Sequence, residues 1–515
     1  MKKWLLLLLG ISVIFCFSTP LFASGQSSVK ATSGTDTVNM MLEGTGGGIS
    51  NWDNDPILQA VEKATNTNIK IEWVSGLTDL LTARAASGEF PDIASVIDHS
   101  AKTFLQLLVD NKQIAPYEGA VAAAAPNVIK EYTDNVNLVE LKMDGKIYLQ
   151  PVYWGRDSFP NMGLLHIRKD ILDKYNLKEP TTWNEYVNYL RVCVNKEKIN
   201  GVTFELSPRS FNVYLGSYGI PYTGWFKNTN GNYQYWLTAD PVIDAIIAYR
   251  GLIAEGLVDP NSFTYAVGSD AMRNAYVSGQ VGSFIFNGGG HIGRIQNDMA
   301  LVNPAFKEWL LPALDCGGGG RGYTEEPMYW GAAVIGGTKT NNPVAAARVI
   351  NYLISPEGEK LTAIGVEGID YTYDSTTNKY TMLEAKFNRG FPRAAGPEGS
   401  HPLASGIVSW QSQEWQDFIL LYGKDKNYEN WYKAMFQNQG QYRVKAYGLA
   451  ITTPEWTAFQ ATGDDLLTRA LAGAFQAATD TEARQIWSKF VQDWKDAGGQ
   501  KASASVEALL KQLYN

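Results

Sequence analysis

Cysteine and histidine are scarce in this 515-residue chain, which has three of the first and four of the second. None stands in C-x-x-C or H-E-x-x-H spacing, so zinc, iron-sulfur and zincin chemistry lack their ligand patterns. Cys16 falls in the N-terminal apolar stretch, which leaves Cys193 and Cys316, too few for a disulfide framework. Positive charge is short as well: 44 Lys and Arg against 52 Asp and Glu give a formal charge of −8. With no long basic run, the electrostatic footprint of nucleic-acid binding is missing. There is no G-x-S-x-G elbow and no G-x-x-x-x-G-K-S/T loop, which removes the commonest serine-hydrolase and phosphate-cradle signals. No repeat of 20 to 50 residues marks a solenoid or propeller.

What is present is an ordinary globular composition, 45% hydrophobic and 19% charged, on a chain too long for one hydrophobic core. Lys2 and Lys3 precede an apolar stretch from Trp4 to Phe17, and Ala23 closes a small-residue cleavage site, the pattern of a secretory leader over 1–23. The stretch falls short of the roughly 20 apolar residues that span a bilayer. Phe15 stands where a bacterial lipobox has Gly or Ala, so the expectation is a soluble periplasmic or extracellular protein, membrane-anchored only if Cys16 is lipidated. Residues 24–37, rich in Ser, Gly, Thr and Gln, read as a disordered tether.

From Val38 the pattern alternates. Val38 to Leu42, Ile69 to Val74 and Ile93 to Ile97 read as strands, with helices over Pro56 to Ala64 and Leu80 to Ala86 between them. Strand, helix, strand is the α/β doubly wound arrangement, whose ligands sit outside the carboxyl ends of the strands. The loops to watch are therefore Glu43 to Asp53 with Trp52, the region after Trp73, and Asp98-His99-Ser100. Thr182 with Glu185 predicts a capping box. Asn342-Pro343 and Ser355-Pro356 predict two further helix starts. The last third is expected to be mostly helical, with Trp487, Phe490 and Trp494 on one core stripe. Gly288 to Gly293 matches G-x-G-x-x-G after a strand-like Val281 to Phe286, but no first βαβ unit surrounds it. Glu325-Glu326 reads as a solvated acidic pair rather than catalytic carboxylates, because adjacent side chains point apart.

Six segments together resemble the bacterial ABC-transporter extracellular solute-binding proteins of family 1, especially the large oligosaccharide-binding, lipoprotein-like branch. They are FPDI from Phe90, GKIYLQP from Gly145, LHIRKDILDKYNLKEPTTWNEY from Leu165, YVSGQVGSFIFNG from Tyr276, AAARVINYLISPEGEKLTAIGVEGIDY from Ala345, and the closing Trp487 to Tyr514. The resemblance implies a two-lobed α/β fold of the type II periplasmic-binding-protein kind. Each lobe would be a sheet flanked by helices, with about three hinge crossovers near Tyr153-Trp154, Met328 to Gly331 and Glu367 to Tyr371. One lobe would hold 38–153 plus 331–366, the other 154–330 plus 367–515. The implied function is capture of a sugar or oligosaccharide by a monomer and delivery to ABC permease transmembrane subunits, without chemistry and without a cofactor. Some relatives carry a calcium loop after the "PTTWDE" helix; here Asn195 to Gly201 lacks alternating oxygen ligands, so no metal is expected.

A sugar presents apolar C–H faces edged by hydroxyls, so its site wants aromatic platforms beside planar polar groups. With 15 Trp and 27 Tyr the choice rests on position. The candidates are Trp52 in a Gly-rich loop, Asp98 and His99, Trp154 and Arg156 at the first crossover, and Trp330 at the second. Tyr371 lies at the third, Tyr222 and Trp225 in a Pro/Gly-bounded loop, and Asn287 at the end of a strand. Arg156 and Arg393 would grip a carboxylate if the ligand were a uronate. The competing class is a secreted glycoside hydrolase or lyase using the same aromatic cleft, which would need a facing pair of carboxylates that no spacing identifies.

Overall fold

The computed structural model describes residues 35–43, 52–74, 76–96, 102–153, 160–266, 270–288, 291–326, 329–383, 401–407 and 412–514. The leader, and with it most of the expected tether, lies outside them. Residues 36–515 form one compact unit.

Nine strands build its two main sheets: β1 (Asp36–Leu42), β2 (Thr67–Trp73), β3 (Ile93–Val96), β4 (Leu149–Tyr153), β5 (Leu164–Arg168), β6 (Asn200–Thr203), β7 (Val281–Phe286), β8 (Glu308–Leu310) and β9 (Tyr329–Ile335). The first sheet runs β2-β1-β3-β9-β4 and the second β8-β5-β7-β6. In the first, β1 is parallel to β2 and β3, while β9 runs antiparallel between β3 and β4. In the second, β6 and β7 are parallel and β5 is antiparallel to β7 and β8. The α/β class expected from the sequence is therefore present, with an antiparallel strand inside each sheet.

Local sequence explains the elements. In the helix Pro56–Thr65, Asp55 caps the first turn by accepting from the Leu58 N–H at 2.8 Å, Pro56 opens it, and Ile57, Leu58 and Val61 are buried. Each of those side chains contributes about 1.5 to 3 kcal/mol by leaving water. Asn66 ends the helix in the left-handed region at φ 51°, where its short polar side chain is tolerated. Thr182 and Glu185 form the expected reciprocal capping box, and Asn342 and Ser355 cap the helices that Pro343 and Pro356 open. β1 starts at Asp36, two residues before the expected Val38, and Asp36 is held there by Arg348 at 2.5 Å.

Each sheet carries its own core. Val38, Met40, Ile93, Val334, Ala347 and Ile350 belong to the first; Leu165, Ile167, Tyr186, Tyr249, Leu310 and Trp487 belong to the second. The helix Pro402–Ile407, which the sequence expectation gave to the second lobe, places Leu403 and Ile407 in the first core. The hairpin Tyr371–Met382 and the helix Gln413–Leu421 likewise pack with Ala363 and Ile364 of the helix Pro356–Ile364. The closing helices Pro454–Gln476 and Asp480–Asp496 cover the second core, with Trp487, Phe490 and Trp494 buried as a stripe. Cys193 and Cys316 are each buried and unpaired in that same core. Glu140 fastens the turn Val136–Leu141 to the closing part of the chain: its carboxylate accepts from Gly448 N at 2.9 Å, Ala450 N at 3.3 Å and the Tyr514 hydroxyl at 2.8 Å.

Candidate functional site

Strand direction decides which edge of each sheet faces the crossovers. Val96 at the end of β3 pairs with Ala332 near the start of β9, so β1, β2 and β3 all end on the edge where β9 begins. Phe286 at the end of β7 pairs with Leu164 at the start of β5, and the parallel β6 ends on that side too. The chain leaves β4 at Tyr153 and enters β5 at Leu164, and it passes from Glu326 to Tyr329 in three residues. The carboxyl ends of seven strands, β1 to β4 in one sheet and β6 to β8 in the other, thus open toward the crossovers, the place where open α/β sheets bind ligands.

On the first-lobe edge the groups are aromatic. Trp52, in a short 3-10 turn, stacks on Trp73 at the end of β2, with ring centroids 6.2 Å apart and planes 29° from parallel. Both are half-buried. His401 meets Trp52 edge-on at 5.7 Å. The Leu403 N–H lies 3.3 Å from His401 Nδ1, which makes Nδ1 the acceptor and assigns the ring proton to Nε2, 3.1 Å from Asp55 Oδ1. The imidazole sits against the same carboxylate that caps the helix beneath it. Glu43, directly after β1, accepts from Gly76 N at 2.8 Å and Leu77 N at 3.4 Å and so satisfies the start of the helix Leu77–Ser87.

On the second-lobe edge the groups are ionic and hydroxylic. After β6, the buried carboxylate of Glu205 takes the Arg209 guanidinium in a fork: Oε1 meets Nε, and Oε2 meets the terminal nitrogen at 2.5 Å. Ser207 Oγ adds a bond to Glu205 Oε1 at 2.6 Å. Tyr222 donates its hydroxyl to Glu326, and its N–H reaches Thr324 Oγ1 at 3.1 Å. Burial pushes the Glu326 carboxyl up to about 7, against the Tyr222 hydroxyl and the Arg209 charge, which both favour the ionised form. The expected solvated acidic pair is thus corrected at Glu326, whose carboxyl is bonded to the buried Tyr222 hydroxyl and lies within the field of Arg209.

Asn287 follows β7. Its carbonyl accepts from His166 Nε2 at 3.1 Å, and His166 Nδ1 lies 2.8 Å from Glu308 Oε1, with both side chains 0% exposed. Burial raises the Glu308 carboxyl well above the usual range. The Asn287 side-chain oxygen is enclosed and has no hydrogen-bond partner among the described residues. Gly288 N is held by the Asn161 carbonyl at 2.8 Å, so the backbone here is pinned from two sides.

Of the residues singled out from the sequence, Trp52, Tyr222 and Asn287 come to this edge. Trp225 does not present a face: it is 2% exposed, its indole N–H bonds Ser503 at 3.1 Å, and it packs with Tyr233, Ile451 and Val506. Tyr371, at 4%, packs with Ile364 and Ile419 in the small hairpin cluster. Asp98, His99, Trp154, Arg156, Arg393 and the Trp330 side chain lie outside the described residues. The sequence gives little warning of Asp55 with His401 or of Glu205 with Arg209. More than three hundred residues separate Asp55 from His401. Glu205 and Arg209 stand at the i, i+4 spacing of an ordinary helix-surface pair, and only the end of β6 just before them hints otherwise.

Residues 47–360 match the family model described as bacterial extracellular solute-binding protein. Lipoprotein LipO of Bacillus subtilis (strain 168) is 24% identical over 440 residues, 76% of this chain and 80% of its own. Among solved structures, the alginate-binding protein AlgQ2 without calcium ion superposes with a TM-score of 0.68 at 17% identity, covering 93% of this chain and 98% of that one. An "HMO binding" ABC-transporter-associated solute-binding protein from Bifidobacterium longum infantis gives 0.67 at 19% identity over 93% and 99%. These likenesses extend to both lobes of the fold.

Proposed function

This chain belongs to the bacterial extracellular solute-binding protein family, and we propose that it captures a sugar or oligosaccharide between its two lobes and hands it, unchanged, to the permease subunits of an ABC importer. The observation that carries this reading is the pairing of edges: the half-buried Trp52 ring on Trp73, which ends β2, in one lobe, and in the other Asn287, which follows β7, with the Glu326 carboxylate bonded to the buried Tyr222 hydroxyl. Aromatic faces take the C–H faces of a sugar ring, and the polar groups take its hydroxyls. Asp98 and His99 follow β3 in the chain, Trp154 and Arg156 follow β4, and Trp330 lies in β9, so they complete the proposed lining by chain position. Ligand bound to both lobes favours the closed state by its differential affinity, and the closed state is the form a permease reads. Residues 1–23 act as the export leader, and the monomer meets its ligand outside the cytoplasm.

The carbohydrate-active enzyme alternative has no support in the family match. The test is a thermal-shift screen of the chain from Ser24 against neutral and acidic oligosaccharides, with each hit checked for breakdown after hours of incubation. A ligand at 100 times its Kd adds about 2.7 kcal/mol of stability. A shift with the sugar recovered intact supports capture; a shift with shortened products makes the protein an enzyme; no shift with any sugar sinks the carbohydrate assignment.

A further inference from the structure

The Trp52 ring is held from behind by two buried polar side chains that the capture reading does not use. Asp55 closes the turn that carries Trp52: its N–H bonds the Trp52 carbonyl at 3.0 Å, and its Oδ1 accepts from Leu58 N at 2.8 Å. The same Oδ1 lies 3.1 Å from His401 Nε2. His401 is fixed from its own side of the chain as well. Its N–H bonds the Thr362 carbonyl at 2.9 Å, its Nδ1 takes the Leu403 N–H at 3.3 Å, and Leu403 and Ile407 sink into the first core. An N-cap needs only its oxygen, so burying that oxygen against an imidazole under the indole goes beyond what the helix requires. Asp55 and His401 are 4% and 0% exposed, which leaves neither side chain a face for a ligand. The imidazole meets the Trp52 indole with centroids 5.7 Å apart and planes 79° from parallel, while Trp73 lies at 6.2 Å and 29°. One neighbour near perpendicular and one near parallel set the tilt of the indole about two axes. A ring fixed in this way has its rotamer frozen on folding, and less freedom is lost when a ligand arrives.

We propose that Asp55 and His401 are positioning residues for capture: they hold the Trp52 indole at the tilt from which its face meets a sugar ring, and neither touches the sugar. The relay runs from carboxylate to imidazole to indole. This rests on the capture reading above and adds two residues to it. Without the imidazole the indole keeps Trp73 on one side and loses the contact that sets its second angle. Affinity then falls by the fraction of time the ring spends away from the binding angle.

A double-mutant cycle between His401 and Trp52 tests this, read by calorimetric titration of the chain from Ser24. The probe is the tightest-binding member of a panel of fructo-, manno-, xylo- and galacto-oligosaccharides and oligogalacturonates. His401→Gln keeps an N–H for Asp55 and removes the ring; it should weaken binding by at least about fivefold in the unaltered chain and by less than about twofold in Trp52→Ala. His401→Phe, which restores a ring, should recover most of the loss. Equal losses in both backgrounds, or no loss in either, overturn the proposal and leave carbohydrate capture standing. Should His401→Gln fail to fold, Asp55→Asn takes its place in the cycle with the same expected and overturning results, since it keeps a helix-capping oxygen and drops the charge facing the imidazole. If the unaltered chain binds no member of the panel, the capture reading fails, and the hold on the ring is decided without ligand. In the chain labelled with 5-fluorotryptophan, the fluorine resonance that disappears in Trp52→Phe should shift and broaden in His401→Gln; an unmoved resonance overturns the proposal.

Discussion

The two edges that meet at the crossovers are built from opposite materials. The first lobe offers flat rings, Trp52 on Trp73, with His401 edge-on to Trp52; the second offers two hydrogen-bonded pairs, Tyr222 with Glu326 and Arg209 with Glu205. Rings bind through area and shape and tolerate small rotations of the ligand. A polar network binds through direction, and its members are already satisfied, so a ligand must offer bonds as good as those it disturbs. The difference teaches that one lobe can supply affinity and the other discrimination, and that the chain keeps those tasks on separate cores.

Removing the ring is the largest way to break that division. Trp52→Ala should weaken oligosaccharide binding by about 2 kcal/mol, roughly thirtyfold, with little change in Tm because the indole is only half-buried; calorimetric titration beside a melting curve measures both. Next comes the support beneath the polar edge. Glu308→Ala leaves the His166 imidazole without its carboxylate in a dry core, costing about 3 kcal/mol of stability and loosening the Asn287 carbonyl. We expect a fall in Tm of several degrees together with about tenfold weaker binding, whereas a variant that loses stability alone would confine Glu308 to the core.

A smaller effect separates charge from shape. The Glu326 carboxyl titrates at about 7 in the folded chain against an ordinary 4.5, so folding favours its protonated form. Stability from this group is complete below about 4.5 and is lost as pH rises through 7. Glu326→Gln is neutral throughout, so the Tm of the variant relative to the unaltered protein should climb between about pH 5 and about pH 8. A flat difference would mean that Glu326 is ionised in both states. The smallest effect is on binding by Trp225→Phe: Kd should stay within about twofold while stability drops by about 1 kcal/mol, since this ring is buried against Ser503 and Val506. Loss of binding would return Trp225 to the ligand.

The frame of the first lobe was legible because its signals are local. Asp55-Pro56, Asn342-Pro343 and Ser355-Pro356 each put a capping oxygen and a preset φ within a few residues, and the short apolar runs between them could only be buried strands. Of the proposed site, the strand-end rule reached only Trp52 and Asn287. Trp225 misled because a loop bounded by Pro and Gly reads as exposed, while the side chains that cover it come from Ile451, Val506 and Leu510, far along the chain. Tyr371 was placed at a crossover by analogy and is instead closed over by Ile419 of a later helix. Glu326 was hidden by its neighbour: two adjacent acids suggest a solvated pair, and nothing near them in sequence announces Tyr222 or Arg209.

The position of β9 has a consequence for how the molecule comes into being. β9 lies between β3 and β4, so the sheet of the first lobe has a gap until residue 335 is available. A chain emerging in order can pair β1 with β2 and β3, but β4 has no partner in that sheet for about 180 residues more. The second sheet has all of its strands by Leu310, before the first can close. Assembly is therefore interleaved: the sheet begun first is closed last, the second core waits for Trp487, Phe490 and Trp494 of the closing helices, and a nascent chain stays incompletely folded, and so threadable, over most of its length.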